Sequence, residues 1–419
     1  MKILWVKPGK LLPLDTGGKL RTYNILRHLA STHELTYLSY YGGERDEAYE
    51  REVLGHLPGT VSVPTAKQPS APLARYFDYL RRLPLDAPYA VSQFEAPQVQ
   101  QLVRDWIQQR RFDVAVCDFL SSTLNFPERL VTPTVLFQHN VESILWQRRA
   151  EFEEKWLDRS VAKIEYAKMR RFEPEQVRRF HHVIAVSETD RQAMSAMVDP
   201  SRISVVPTGV DLSKYQYDPN AGPSGALVVF TGSMDWRPNI DGVEFFCHEI
   251  WPQVLARVPG ARFRIVGRDP DPRVKKLASA SVEVTGTVPS IVDHLREAAV
   301  VVVPLRIGGG TRIKIYEGMA MGKATVSTTV GAEGLDVQHG RDILLEDSPA
   351  AFATAIAQLL QDAEVRRRYE SAAAATARQY DWSVVTERFV EVLQRVLDGA
   401  SGGQVAPSAL TATAKIQQA

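Results

Sequence analysis

Residues 300–335, VVVVPLRIGGGTRIKIYEGMAMGKATVSTTVGAEGL, decide the fold class of this 419-residue chain. Residues 300–305 form a continuous apolar, β-branched run, the kind a strand shows when a parallel sheet covers both its faces. Gly308, Gly309 and Gly310 follow, a turn in which no Cβ restricts the backbone or keeps a ligand away. Thr311 then reads as the N-cap of a helix over 312–321, where Ile313, Tyr316, Glu317 and Ala320 recur at helical spacing.

A strand, a glycine turn and a helix N-terminus make an anion site, because the first helical amides lack partners and the macrodipole places positive charge there. Arg312 and Lys314 add two full positive charges. Positions two apart on a helix do not share a face, so at most one of the two is expected to point inward. Glu317 lies further along, at ~1.5 Å rise per residue, within reach of a sugar diol attached to the bound phosphate. The expected ligand is a phosphorylated sugar or a nucleotide. No Gly-Lys-Ser/Thr closes the turn and the GxGxxG spacing is missing, so it is neither a Walker loop nor a dinucleotide fingerprint.

Outward from this stretch, an α/β rhythm runs twice. Residues 2–6 read as a first strand, a loop ends in Gly17 and Gly18, 19–30 read as a helix and 33–39 as the next strand. Residues 60–88, rich in proline and aromatics, read as loops and short helices over the cleft. A helix is expected at 94–110, strands at 114–117, 134–138 and 183–186, and a helical stretch at 143–179 interrupted or kinked near Pro174. The rhythm restarts at 226–230. The fold class is therefore α/β, with two Rossmann-like, doubly wound parallel-sheet domains facing across a cleft. The first spans 1–212, a Pro/Gly-punctuated linker 213–225, the second 226–378, and a last helix 379–398 precedes a tail, 399–419, too poor in bulky apolar residues to order.

Fifty basic against 49 acidic residues leave a net charge of +1, so no global field recruits nucleic acid or membrane. Cys117 and Cys247, both in apolar surroundings, read as buried thiols of a reducing compartment. The first residues are too short an apolar run for a signal segment, and none approaches the ~18 residues of a membrane span, which points to a soluble cytoplasmic protein.

VVPTGVD (205–211), FTGSMDWRPN (230–239), FRIVGR (263–268) and the 300–335 stretch, in this order and spacing, resemble the family 4 glycosyltransferases. The resemblance covers nearly all of 1–397 and implies the GT-B fold. It places the nucleotide sugar on the C-terminal half, brings the acceptor with the N-terminal half, and has the last helix cross back to the N-terminal domain. In that family two glutamates eight positions apart straddle the glycine turn. Glu317 matches the second; Gly309 stands where the first would be, so the sugar hydroxyls must be held differently. The family also uses an Arg and a Lys after the first strand of the second domain. Here Met234 stands where a basic residue is frequent and Arg237 is nearby, so the diphosphate is expected on Arg312, Lys314 and backbone amides, among the turns that carry Gly232, Ser233 and Gly267. Gly17 and Gly18 resemble the family's N-terminal glycine pair, with Lys19 and Arg21 within reach of the same charge. His139, in QHNVE, resembles its histidine near the sugar, with Glu142 beside it.

The implied activity is retaining transfer of a hexose-type sugar from a UDP-, GDP- or dTDP-linked donor to a hydroxyl of a glycan, lipid-linked or small-molecule acceptor. No metal and no cofactor are implied. Asp269-Pro-Asp271 reads as a proline-crowded surface turn instead of a metal motif. The basic run 163–182 could touch anionic lipid at the inner membrane face, though Glu165, Glu173 and Glu175 dilute its charge. Two other readings keep the fold: an epimerase acting on the nucleotide sugar alone, and a non-catalytic nucleotide-sugar-binding subunit, which Gly309 encourages.

Overall fold

The structure, a computed structural model, describes residues 1–153, 155–220, 222–308 and 312–402. Two parallel sheets organise them. The first contains β1 (Lys2–Pro8), β2 (Glu34–Gly42), β3 (Thr60–Thr65), β4 (Val114–Asp118), β5 (Thr134–Phe137), β6 (His182–Ala185) and β7 (Ile203–Val205), in the order β3-β2-β1-β4-β5-β6-β7. The second contains β8 (Leu227–Thr231), β9 (Arg262–Val266), β10 (Val282–Gly286), β11 (Val300–Val303), β12 (Ala324–Ser327) and β13 (Leu344–Leu345), in the order β10-β9-β8-β11-β12-β13. Both orders reverse direction once, at β1/β4 (Ile3 opposite Val114) and at β8/β11 (Val228 opposite Val300). In such sheets the crevice outside the carboxyl ends of the strands opens at that reversal.

The valine run at 300–303 is fully buried, as a strand covered on both faces must be. Ile3, Trp5, Val114, Val116 and Phe137 pack one face of the first sheet, and Leu4, Val6, Ala115, Cys117 and Leu136 the other. Trp382, Val385, Phe389 and Leu393 of the last helix, Trp382–Gly402, join the first of these faces, with the Phe389 ring 5.3 Å from Trp5 and 5.2 Å from Phe137. The chain thus returns from the second domain to complete the core of the first. The helix runs beyond 398, so the expected tail shortens to 403–419, outside the described residues.

Three further local expectations are corrected. Residues 60–65 form an edge strand; Pro64 is tolerated there because an edge leaves one row of amides without ladder partners. The long helical stretch is two helices, Glu142–Phe152 and Trp156–Arg179, and the second runs through Pro174. Packing of Met169, Phe172 and Val177 outweighs the one hydrogen bond the proline forgoes. The break falls at Glu153 and Lys155, both extended, so that the second helix folds back along the first and Glu173 caps it, accepting from the amides of Glu142 (2.8 Å) and Ser143 (2.9 Å). The helix after the glycine turn is Ile313–Ala320, with Arg312 in the N-cap position; Thr311 lies outside the described residues.

Candidate active site

The carboxyl ends of the two sheets face each other around a cavity of about 770 Å³. From the first half come the Asp15–Gly18 turn after β1, Arg21, Phe119 after β4, and His139 after β5; from the second come Gly232 and Ser233 after β8, Gly267 and Arg268 after β9, Thr287, Val288 and Ile291 beyond β10, and Arg312, Lys314 and Glu317. Of the residues singled out from the sequence, Gly17, Gly18, His139, Gly232, Ser233, Gly267, Arg312, Lys314 and Glu317 meet there. Gly308 adjoins it through Arg312, and Gly309, Gly310 and Thr311 lie outside the described residues. Arg237 is exposed at the start of the helix Arg237–Phe245 and does not line the cavity. Lys19 turns to Asp15 (3.0 Å) and is also not on the wall.

Both Arg312 and Lys314 line the cavity, against the expectation of one at most. The facing rule applies within a helix, and Arg312 precedes it with φ −88°, ψ 79°. Lys314 Nζ donates to Asn239 Oδ1 at 2.8 Å and lies 4.1 Å over the Phe230 ring, while Asn239 Nδ2 donates to Ser233 O at 2.8 Å. Burial and the neighbouring Arg312 push the Lys314 ammonium down to about 7, with Glu317 opposing. Burial lowers Arg312 as well, against the pull of Glu333. Close approach requires glycine at 267, and at 232 a side chain would displace the groups that face the cavity. A Cβ on Gly232 would stand 2.7 Å from Lys314 Nζ, and one on Gly267 1.6 Å from Gly232 O.

Glu317 accepts the phenol of Tyr215 on Oε1 at 2.8 Å; burial raises its carboxyl, and the Tyr215 bond, Lys214 and Lys314 draw it back. Asp271, in the proline-rich turn, caps the helix Pro272–Lys275 and pairs with Arg273 at 3.1 Å.

On the opposite wall His139 is buried. Its Nε2 meets Asp118 Oδ1 at 2.7 Å and its Nδ1 meets Arg21 Nη1 at 2.8 Å. A guanidinium cannot accept, so Nδ1 must be the acceptor and the proton sits on Nε2, aimed at Asp118. Burial holds His139 near 4 despite Asp118, with Arg21 and Lys7 adding to the depression. The ring also stacks on Phe119, 3.8 Å between centroids. Burial alone would raise Asp118, but Lys7, His139 and Thr22 hold it low; it also accepts from Trp5 Nε1 at 3.0 Å. Arg21 donates through Nε to Thr208 Oγ1 at 3.0 Å, and Nη2 meets the same oxygen. Burial lowers Arg21 only to about 10, so it stays charged. Hence the polar ends of His139 are committed inside the protein, and Arg21 is the cation that the first half brings to the cavity wall.

Asp118, Phe119, Thr208, Tyr215, Asn239 and Arg268 were not foreseen. Only Phe119 carries a backbone peculiarity, φ +69°, and nothing in the sequence marks a phenylalanine for it. The two halves also touch directly: Arg148 donates to Gly308 O (3.2 Å) and pairs with Glu333 (2.9 Å), and a Cβ on Gly17 would lie 3.4 Å from Ile313 Cδ1.

Two family models match, one after the other: Glycosyltransferase Family 4 over residues 16–214 and Glycosyl transferases group 1 over residues 225–362. The chain belongs to the family 4 glycosyltransferases.

Among relatives of this family 4 chain, the phosphatidyl-myo-inositol mannosyltransferase of Mycobacterium leprae is 28% identical over 233 residues, 53% of this chain and 61% of that protein. The GDP-mannose:cellobiosyl-diphosphopolyprenol alpha-mannosyltransferase of Xanthomonas campestris is 27% identical over 231 residues, 51% of this chain and 58% of that protein. The match thus spans less than two thirds of either. The Anabaena HepE structure in complex with UDP and glucose superposes with a TM-score of 0.65 at 16% identity, covering 94% of this chain and 100% of that one. The two sheets and the cleft are those of the GT-B fold.

Proposed function

We propose that the protein transfers a hexose-type sugar from a nucleoside diphosphate sugar to a hydroxyl acceptor, with retention and without a metal. The observation that carries this reading is the convergence, from opposite sheets, of Arg21, Arg312 and Lys314 on one cavity that also holds Glu317. These cations, with Arg268 also on the wall, around a glycine-lined space suit a diphosphate, and a carboxylate beyond them suits a ribose diol. Val266, Val288 and Ile291 offer an apolar wall to a base. In this reading Arg21, Arg312 and Lys314 stabilise the negative charge that develops as the diphosphate leaves. His139 acts by holding Arg21 and offers no free base.

Retention fits the carboxylates available. Asp15 and Glu317 are the acids on the cavity wall among the described residues, and each is engaged, by Lys19 and by Tyr215. In this reading the acceptor attacks on the face the diphosphate leaves and the departing phosphate takes its proton, a route that needs no carboxylate nucleophile.

A lipid-linked acceptor is favoured by the surface. The helix Pro72–Arg82 buries none of its residues and exposes Leu73, Tyr76, Phe77 and Leu80 beside Arg75 and Arg81, the pattern of an interfacial helix. In the basic run first considered for lipid, Lys168 and Arg179 donate to backbone carbonyls of Leu83 and Thr123, while Lys163, Arg170, Arg171 and Arg178 stay exposed. The relatives' names place their own acceptors on lipids.

Thermal shift with UDP-, GDP- and dTDP-sugars identifies the donor, since a ligand of the folded state alone raises its stability. Incubation of that donor with and without lipid-linked acceptors then decides the chemistry. Transfer with net retention is expected; isomerised donor in the absence of acceptor would establish an epimerase, and binding without turnover a non-catalytic subunit.

A further inference from the structure

The segment joining the two sheets is pinned to the helix that carries Glu317, at both sides of that residue's turn. Tyr215 is buried and gives its hydroxyl to Glu317 Oε1 at 2.8 Å. Two residues on, the Tyr217 ring lies against Gly322, just past the helix end; a Cβ there, at φ +65°, would come within 2.1 Å of that ring. The segment is itself anchored to the chain's return crossing, through Val210 N to Tyr380 O (2.7 Å) and Leu212 N to Asp381 Oδ2 (3.3 Å). Tyr215 is therefore held from both ends and has little freedom to follow the carboxylate.

A lone buried carboxylate can rotate about its last torsion, which is broad. A fixed phenol on Oε1 removes that freedom and sets the carboxylate plane. Oε2 meets no hydrogen-bond donor among the described residues, and a carboxylate oxygen has a second lone pair, so acceptor capacity remains for two incoming hydroxyls. We propose that Tyr215 is a positioning residue for pentose recognition: its hydroxyl presets Glu317 so that the carboxylate receives the vicinal diol of a ribonucleotide and discriminates against a deoxyribonucleotide. The proposal rests on the reading of Glu317 as the pentose ligand.

The test is calorimetric titration of the full chain with UDP and GDP and with their 2′-deoxy and 3′-deoxy counterparts. The wild type should prefer the ribonucleotide by about tenfold or more, the scale of a hydrogen bond to a charged group. Y215F should lose most of that preference, by weakening the ribonucleotide, with the corresponding kinetic loss in KM and not in kcat. Tyr215→Gln, which restores an N–H donor, should recover part of it, and E317Q should have none. A Y215F protein that keeps the full preference while E317Q loses it overturns the positioning role and leaves the donor site intact. If E317Q also keeps it, Glu317 is not the pentose ligand and the proposal falls with that reading. A readout free of substitution at 215 is fluorine resonance of the wild-type chain carrying 3-fluorotyrosine. One tyrosine signal, the one E317Q displaces, should move with UDP and not with 2′,3′-dideoxy-UDP; a signal indifferent to the sugar hydroxyls counts against the idea.

Discussion

Lys314 shows how a residue's surroundings give it a proton affinity its type alone does not. Its Nζ sits over Phe230 with Asn239 Oδ1 as a neutral partner, and burial with the nearby Arg312 brings it to about 7. A diphosphate prefers the ammonium and so raises that value on binding. The charged form predominates below about pH 7 and is lost above it, so the affinity for a nucleoside diphosphate sugar, whose two phosphates stay ionised throughout, should level off in acid and fall by up to about tenfold per pH unit above 7 until the bound state itself titrates. Lys314→Met should bind more weakly at pH 6 and show little dependence from 6 to 9. Calorimetry in buffers of different ionisation enthalpy checks both, because wild-type binding at pH 8 must take up a proton. A wild-type affinity that does not change between pH 6 and 9 rules the assignment out.

At the scale of elements, the site depends on two strand ends touching backbone to backbone. Gly267 leaves room for Gly232 O, where a Cβ would stand at 1.6 Å, and no rotation of a side chain can relieve a clash with a carbonyl. Gly267→Ala should lower stability by about 1–3 kcal/mol or more, the range for an overpacked core, and weaken nucleotide binding at the same time. Gly55 is the contrasting case, inside the helix Glu47–His56 with nothing near its missing Cβ. Gly55→Ala should be neutral or stabilise by about 0.5–1 kcal/mol through backbone entropy, with binding unaltered. Differential scanning calorimetry of the pair reads the sign of each change.

Over the whole molecule, two attachments set how the sheets face each other. Arg148 bridges from the first half to Gly308 O and Glu333. The pair is partly exposed, so its loss should cost little stability. Arg148→Ala should instead widen the cleft, seen as a larger radius of gyration by small-angle scattering without nucleotide and a raised KM for donor. The second attachment is the returning helix. Phe389 is fully buried between Trp5 and Phe137. Phe389→Ala should destabilise the first domain by about 3–5 kcal/mol, measured by urea denaturation of the full chain.

The valine run, the glycine turn and the doubled α/β rhythm were enough to give the fold class, and the spacing of Arg312, Lys314 and Glu317 singled out three residues that line the cavity. These are local signals: burial on two faces, freedom of the backbone and charge at a helix start can be read within some twenty residues. What the sequence could not contain is which residues of different elements meet in space, whether 21 positions apart, as His139 and Asp118 are, or 187, as Arg21 and Thr208 are. Tyr215 reaching Glu317, His139 spending both ring nitrogens on Asp118 and Arg21, and Thr208 gripping Arg21 each join residues from different elements. The strand at 60–65 and the helix passing through Pro174 went unread for the same reason, since an edge position and a packed face override local preference. The chain by itself determined the α/β class, most of the strands, and the succession of glycine turn, cations and carboxylate over residues 308–317. The tertiary structure alone decided which of those groups are already engaged, because contact energies depend on distance in space and the sequence records only distance along the chain.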